Sequence, residues 1–321
     1  MALETLREIA LGFSKVQQKK LDFMTEETPF LDLLPFAQST HDMWHNAEQQ
    51  ESADAIGFVE MDAPLPNVTS RSKLVRFDLG KMGAKITVHE DRARQYGGTA
   101  KYFADKEGPI LKQTFMKIER TLIYDNLRLY AIKNYDSSTK KNIYSAGGTG
   151  NTNYSIVAVR FEEGVCQGLY NPKGFGKGAM FDKVPINGGN LYEIDDEKRL
   201  GYGVRLKSDI GFMITGTRNT AAIVNIDLTP NDADKTKPAA VPTATMIDDM
   251  LADIRSTTSG RTMLVMHPRV KGMLVREFKD KGVQFRPKDK VIDRDLDSWG
   301  GVPFVLSHNM DDKKEAKVPL S

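Results

Sequence analysis

ILKQTFMKIERTLIYDNLRLYAIK, residues 110–133, is the stretch on which the fold turns. Leu111, Phe115, Ile118, Leu122 and Leu129 recur at the three-to-four spacing of one helix face. Ile110, Ile123, Leu127 and Tyr130 widen that face into a stripe. The spacing predicts one helix across 110–133, about 36 Å long at about 1.5 Å per residue. That is longer than the usual three turns of a globular helix and points to a structural strut. Upstream, Gly97, Gly98 and the Gly108-Pro109 pair punctuate the chain ahead of this helix.

Further towards the N-terminus, Lys85-Ile86-Thr87-Val88-His89-Glu90 alternates as a strand does. Residues 37–84 are polar and poor in apolar runs, with Pro64 and Pro66 near the middle. So long a stretch with so little core material is usually functional or disordered. Its charge is lopsided. From 21 to 70 there is no Lys or Arg, while Asp22, Glu26, Glu27, Asp32, Asp42, Glu48, Glu51, Asp54, Glu60 and Asp62 are acidic. That window carries −10, so the rest of this +2 chain carries +12. Arg71, Lys73, Arg76, Lys81 and Lys85 then reverse the sign. One reading is a solvated surface with chance clustering. The other is an extended two-stranded arm whose acidic limb meets a basic surface on another copy, with Glu48, Glu51, Asp54, Arg71, Lys73 and Arg76 as interface residues. Complementary charge across an interface sets register more than it adds affinity. At the start, Leu3, Leu6, Ile9, Ala10, Phe13 and Val16 have helical spacing, and that face packs either on its own domain or on a neighbour. Pro29 and Pro35 bracket an apolar stretch, 28–36, and argue against a long helix there.

Downstream of the strut, 145–155 is a Gly/Ser/Asn joint and 154–195 reads as a turn-rich, mainly β insertion. Residues 202–207 and 221–226 have the look of strands, and 227–242 of a Pro/Asp/Lys loop. Thr245 with Asp248 suggests a capped helix start, with Ile247, Met250, Leu251 and Ile254 along one face. Residues 262–266 form a buried-type strand. Pro268 opens a helix carrying Val270, Met273, Leu274 and Phe278, and Gly300-Gly301 turns into a closing strand through 306. The class is α+β, with a strut, an arm and an insertion, and without an internal repeat.

At 321 residues the chain has room for about two domains of roughly 150 residues each. Its 40 % hydrophobic and 27 % charged content is ordinarily globular. A net charge of +2 argues against a dedicated nucleic-acid binder. Cys166 stands alone, so neither an intrachain disulfide nor a multi-thiolate zinc cluster can form. No secretory pattern opens the chain and no window nears the roughly 20 apolar residues of a membrane span, so a soluble, cytoplasmically made protein is expected.

Catalytic patterns are weak. His41 and His45 lie four apart, but Asp42 stands where a metalloprotease helix needs Glu, and the segment reads as arm. Gly174-Phe175-Gly176-Lys177-Gly178 lacks Walker spacing and the following Ser or Thr. Gly201-Tyr202-Gly203 lacks the third glycine of a dinucleotide fingerprint. Cys166 with His267 or His308 as base is a conceivable nucleophile, but a lone cysteine is more often a small apolar filler. Asp195-Asp196-Glu197 and Asp311-Asp312 read as solvated turns. No catalytic, cofactor-binding or metal site is expected, and no enzyme.

The order of these features resembles the major capsid proteins of tailed phages with the Hong Kong 97-type fold, in particular the gene-product-seven-like branch. Residues 27–36 resemble that family's N-terminal arm, 45–84 its extended loop and 110–133 its spine helix. Residues 201–205, 221–227, 261–266 and 299–304 resemble strands of its axial domain. The resemblance implies an arm at 1–44, an extended loop at 45–84, and a peripheral domain with the spine helix at 85–150. It further implies an inserted β-rich subdomain at 151–195 and an axial domain with returning peripheral strands at 196–321. It implies self-assembly in hexamers and pentamers into an icosahedral shell that encloses double-stranded DNA without sequence-specific binding. Implied partners are a separate scaffolding protein, a portal and a decoration protein, with no membrane. Location would be the virion, after assembly in the host cytoplasm. An encapsulin-like compartment is the alternative with the same fold, and an enzyme with an unfamiliar site the alternative from another class.

Overall fold

Tyr154-Ser155-Ile156-Val157-Ala158-Val159-Arg160-Phe161 is buried at every position, and the molecule is arranged around it. The computed structural model describes residues 4–5, 27–59, 61, 64–135, 142–171, 182–194, 196, 198–231, 238–256, 260–280, 298–310 and 315–320. In chain order the first strands are β1 (Glu4–Thr5), β2 (Pro35–Gln38), β3 (Trp44–Ala53), β4 (Ser70–Asp78), β5 (Gly80–His89), β6 (Ile143–Ser145), β7 (Tyr154–Phe161) and β8 (Cys166–Tyr170). They are followed by β9 (Asp182–Pro185), β10 (Tyr192–Glu193), β11 (Leu200–Ile214), β12 (Thr220–Pro230), β13 (Pro238–Ala240), β14 (Arg261–Met266), β15 (Ser298–Trp299) and β16 (Val302–Leu306). The helices are α1 (Pro29–Leu33), α2 (Glu90–Gln95), α3 (Thr99–Thr121), α4 (Ala244–Asp253) and α5 (Pro268–Asp280). Helix α3 runs on through a π-helical turn, Leu122–Arg128, and a last α turn, Leu129–Lys133.

One sheet has the order β13-β12-β7-β14-β16-β15, with β6 also on β12. Its central strands have helices on both faces. Val157, Val159, Phe161, Val224 and Val265 share a core with Phe115, Ile123 and Leu127 of the long helix. Their alternates Ile156, Ala158, Ile223 and Leu264 pack with Met250 and Leu251 of α4 and Met273 and Leu274 of α5. Strands covered on both sides read as unbroken apolar runs, which is why this part of the sequence lacks alternation. The second sheet has the order β1-β2-β8-β11-β10, with β5 and β9 also pairing β11. Long β11 is its backbone, matched to β5 from Gly201↔His89 to Ile210↔Gly80 and to β8 from Ile210↔Tyr170 to Ile214↔Cys166. Strands β3 and β4 form a separate antiparallel pair.

The architecture is α+β as expected, and several boundaries move. The long helix begins at Thr99, not near Ile110, and Pro109 lies inside it. Proline removes one rung of the hydrogen-bond ladder. The turns before it nevertheless bury Tyr102, Phe103 and Glu107, whose carboxylate takes Lys183 Nζ at 2.6 Å. Tertiary packing carries the helix through. The π turn then shifts the buried stripe, so that Ile123, Leu127 and Ala131 point inward while Leu129, counted on the stripe, is exposed. The 151–195 stretch is β-rich, but it is not a separate body: β7 sits at the centre of one sheet, whereas β8 and β9 belong to the other. Among its described glycines, Gly164, Gly188 and Gly189 take positive φ and Gly168 lies under the Phe36 ring. Helix α4 is capped by Thr243, whose Oγ1 accepts from Met246 N at 3.2 Å, two residues before the expected Thr245. Of the amphipathic 1–20 segment only Glu4–Thr5 is described, and it is a short strand paired antiparallel with β2, not helix; the rest of it, the 174–178 glycines and the Asp311-Asp312 pair lie outside the described residues, as do Asp195 and Glu197 and the centre of the 227–242 loop.

Arm and body meet at β2, which runs parallel to β8 with Phe36 opposite Gly168. A Cβ at Gly168 would lie 2.6 Å from the Phe36 ring, so only glycine admits the ring there. Gly168→Val is expected to expel Phe36 and lower stability by about 1–3 kcal/mol, as overpacking does. Urea unfolding of the unassembled chain measures this, and an unchanged midpoint would show that the contact does not hold the arm.

Candidate functional site

The feature that most sets this chain apart from a self-contained domain is the β3/β4 hairpin. It pairs Trp44↔Asp78 at its base and Ala53↔Ser70 at its far end, with a bulge between Gln50 and Ser52. The expected two-stranded arm is therefore present. The six residues singled out on it are brought onto these two strands and their end, and one pair of them, Glu51 and Lys73, meets within the hairpin. Glu51 takes Lys73 Nζ at 3.1 Å, Glu48 accepts from Ser72 Oγ, and Arg76 Nε reaches Asp78 at 2.7 Å. Asp54 Oδ2 accepts from both Thr69 N and Thr69 Oγ1 at 2.9 Å, which closes the hairpin end and holds the Asp54 carboxyl below its usual range. Arg71 stands opposite Ser52. Exposed ion pairs of this kind contribute about 0–1 kcal/mol, so most of the charge remains available to a partner.

Beyond Asp54 the chain turns apolar without being covered. Ile56 is 88 % exposed, Met61 96 % and Leu65 83 %, and Phe58 is fully exposed. The hairpin base, by contrast, is fixed. Ala47 and Leu79 pack with Leu169 and Met213 of the β8/β11 sheet, and Gln49 Nε2 donates to Thr215 O at 2.7 Å. Trp44 stacks on His41 with centroids 3.5 Å apart, and Arg76 lies over the Trp44 ring.

Two buried carboxylates tie the arm and the C-terminal segment to the long helix. Glu119 Oε2 accepts from Phe30 N at 3.1 Å and Leu31 N at 3.2 Å, the first-turn amides of α1. Its Oε1 accepts from Ser307 Oγ and from Asn309 Nδ2 at 3.0 Å. Burial nonetheless pushes the Glu119 carboxyl up, against the pull of those four donors. Glu315 Oε1 accepts from Tyr124 OH at 2.6 Å, while its Oε2 faces Arg128 at 3.3 Å and accepts from Ser155 Oγ. Both Tyr124 and Arg128 belong to the π turn.

A central sheet between helical layers, a helix that runs from Thr99 to Lys133 and a hairpin with an exposed apolar end make up the described body. The description "Major capsid protein GP7" matches residues 19–319. The chain belongs to the GP7 major capsid protein family. It builds a capsid shell. A solved structure of bacteriophage Epsilon15 is 15 % identical, covers 88 % of each chain and superposes with a TM-score of 0.54, which places the fold among Hong Kong 97-type capsid subunits. The bacteriophage JBD30 capsid (10 % identity, 85 % and 90 % coverage, TM-score 0.45) is also similar. So is an encapsulin from Synechococcus elongatus PCC 7942 (13 %, 76 % and 100 %, TM-score 0.45). No curated protein matches the chain in sequence.

Within this capsid subunit the chemical candidates find structural partners. Thr40 N donates to His45 Nδ1 at 3.2 Å and Thr40 Oγ1 lies 3.1 Å from His41 Nδ1, on a bend and strand instead of a helix. Burial and the neighbouring His41 lower the His45 pKa. Cys166 is fully buried, its thiol pushed up by burial, and the charges that bear on it are Arg160 and Glu162, not the two histidines. Gly201 and Gly203 sit in β11, where a Cβ would strike Val88 O at 2.3 Å and Tyr192 OH at 2.1 Å. Among the described residues, no three His, Cys, Asp or Glu side chains gather as a metal site. Sequence reasoning missed Glu119 and Glu315. The first had a signal, since a carboxylate between Phe115 and Ile123 at four-residue steps falls on the apolar stripe; the second had none.

Because the folded pKa of Glu119 is raised above its ordinary 4.5, the stability it contributes is full below that value and is lost as pH rises through the raised one. Glu119→Gln lacks this titration and leaves an amide facing donors, at a cost of about 1–3 kcal/mol. The stability difference between wild type and Glu119→Gln should therefore narrow from pH 4 to pH 7 in urea titrations. A constant difference would mean the carboxyl titrates normally.

Proposed function

We propose that this capsid subunit forms the hexamers and pentamers of an icosahedral phage head by laying its 45–84 hairpin on an adjacent copy. Glu48, Glu51, Asp54, Arg71, Lys73 and Arg76 set the register of that contact. The support is the hairpin itself: anchored at its base through Ala47 and Gln49, it ends in apolar side chains with nothing over them. Apolar patches of that kind mark interaction surfaces. Contact between unlike patches on successive copies is heterologous and closes into rings. The head encloses double-stranded DNA, and a net charge of +2 suits a wall that does not grip it. A separate scaffolding protein, a portal and a decoration protein complete the particle, which assembles in the host cytoplasm without a membrane and becomes the virion. The subunit performs no reaction.

Replacing Glu48, Glu51 and Asp54 together by Lys should abolish particles in negative-stain micrographs while circular dichroism of the monomer stays unchanged. Normal particles from the triple variant would refute a charge-matched hairpin.

A further inference from the structure

The long helix, the β5/β11 ladder and the arm enclose a cleft of about 670 Å³. Its helix wall runs from Ile110 to Asn126, about 24 Å at about 1.5 Å per residue. Ile110 and Ile118 on the helix and Ile210 and Phe212 on β11 pack on the core below them, yet stay half-buried because their other side faces the cleft. Leu34 and Phe36 close the arm side. A hollow of about 300–1,000 Å³ with apolar walls and few polar groups is the usual form of a small-ligand site.

The charge at the mouth is of one sign. Lys117 stands exposed on the helix wall and makes no ion pair among the described residues. Asp78 is the one carboxylate among the described lining residues, and Arg76 already holds it at 2.7 Å. Lys81 and Lys207 border the cleft through their backbone. Ala84 pairs with Leu206 on the face that meets the helix, so strand alternation turns both of those lysine side chains to the other face. We propose that the cleft binds one molecule of a fatty carboxylate, its head at Lys117 and its chain laid along the helix against Ile210 and Phe212. The apolar walls ask for the chain and the unmatched ammonium for the anionic head; a neutral lipid would leave that charge unanswered. A chain seated there touches arm, helix and sheet together, and a ligand that binds only the folded form stabilises it.

Isothermal titration of the unassembled full-length chain with octanoate, decanoate and dodecanoate, each kept below micelle formation, tests this. Expected is one site per chain, with affinity rising about fourfold for each methylene buried. Lys117→Gln should weaken decanoate about twofold to fivefold, the worth of an exposed ion pair, and leave the neutral analogue decanol unchanged. Ala84 is exposed on the sheet wall, so Ala84→Trp can fill the cleft without entering the core. That variant should lose more than tenfold in decanoate affinity with its circular dichroism unchanged, whereas Ala84→Ser binds as wild type does. Ile118→Glu sets a like charge in the cleft and serves the same purpose should the tryptophan variant not fold. Saturating decanoate should raise the urea midpoint of the wild type and not that of Ala84→Trp. No binding by the wild type, affinity that ignores chain length, or full affinity in folded Ala84→Trp or Ile118→Glu overturns the site. Decanoate binding unaltered in Lys117→Gln, or weakened there no more than decanol, overturns the placing of the head.

Discussion

Four donors from two distant parts of the chain converge on one carboxylate, and the placement of arm, long helix and closing strand depends on that convergence. Glu119 has no exposed surface. An ionised group so placed is tolerable only when its lone pairs are filled. Phe30 and Leu31 fill one oxygen from the arm, and Ser307 and Asn309 fill the other from beyond β16. The arm therefore cannot leave the helix without stranding a buried carboxyl, and the same constraint fixes where β2 meets β8. Glu27, whose carbonyl accepts from Asn309 Nδ2 and whose carboxylate meets Lys112 at 2.5 Å, extends the knot by one residue.

The hairpin illustrates a division of labour along one element. Its lower half is committed to its own body through Ala47, Gln49 and Leu79. Its upper half has no apolar partner among the described residues. Pairing between the acidic and basic limbs, as in Glu51 with Lys73, keeps the two strands in register without using up their exposed faces. A hairpin of just two strands is marginal alone in water, so the packed base is what holds this one in shape.

What could be read in the sequence followed strong periodicity and strong charge asymmetry. The long helix, the α5 face from Val270 to Phe278 and the two-stranded arm came from such signals. The start of the long helix was hidden because Gly108-Pro109 breaks helices in most settings, and only the burial of Tyr102, Phe103 and Glu107 overrides it. Leu129 was misplaced because the four-residue stepping from Leu111 to Ala131 needs a π turn, which spacing at 3.6 residues does not reveal. The 151–195 stretch was misread because glycines such as Gly168 answer to a partner ring that sequence cannot locate. The charge asymmetry along the hairpin was legible, whereas the donors that meet Glu119 were not, because they come from segments far apart in sequence.

The burial of Cys166 has a consequence for the particle as a material. Because the only thiol in each copy is sealed inside a core, the wall has no oxidisable sulfhydryl on either surface. A change of redox surroundings therefore finds no exposed thiol of this chain to act on. Oxidation cannot join one copy to the next through this chain's own cysteine while the core around Cys166 stays closed.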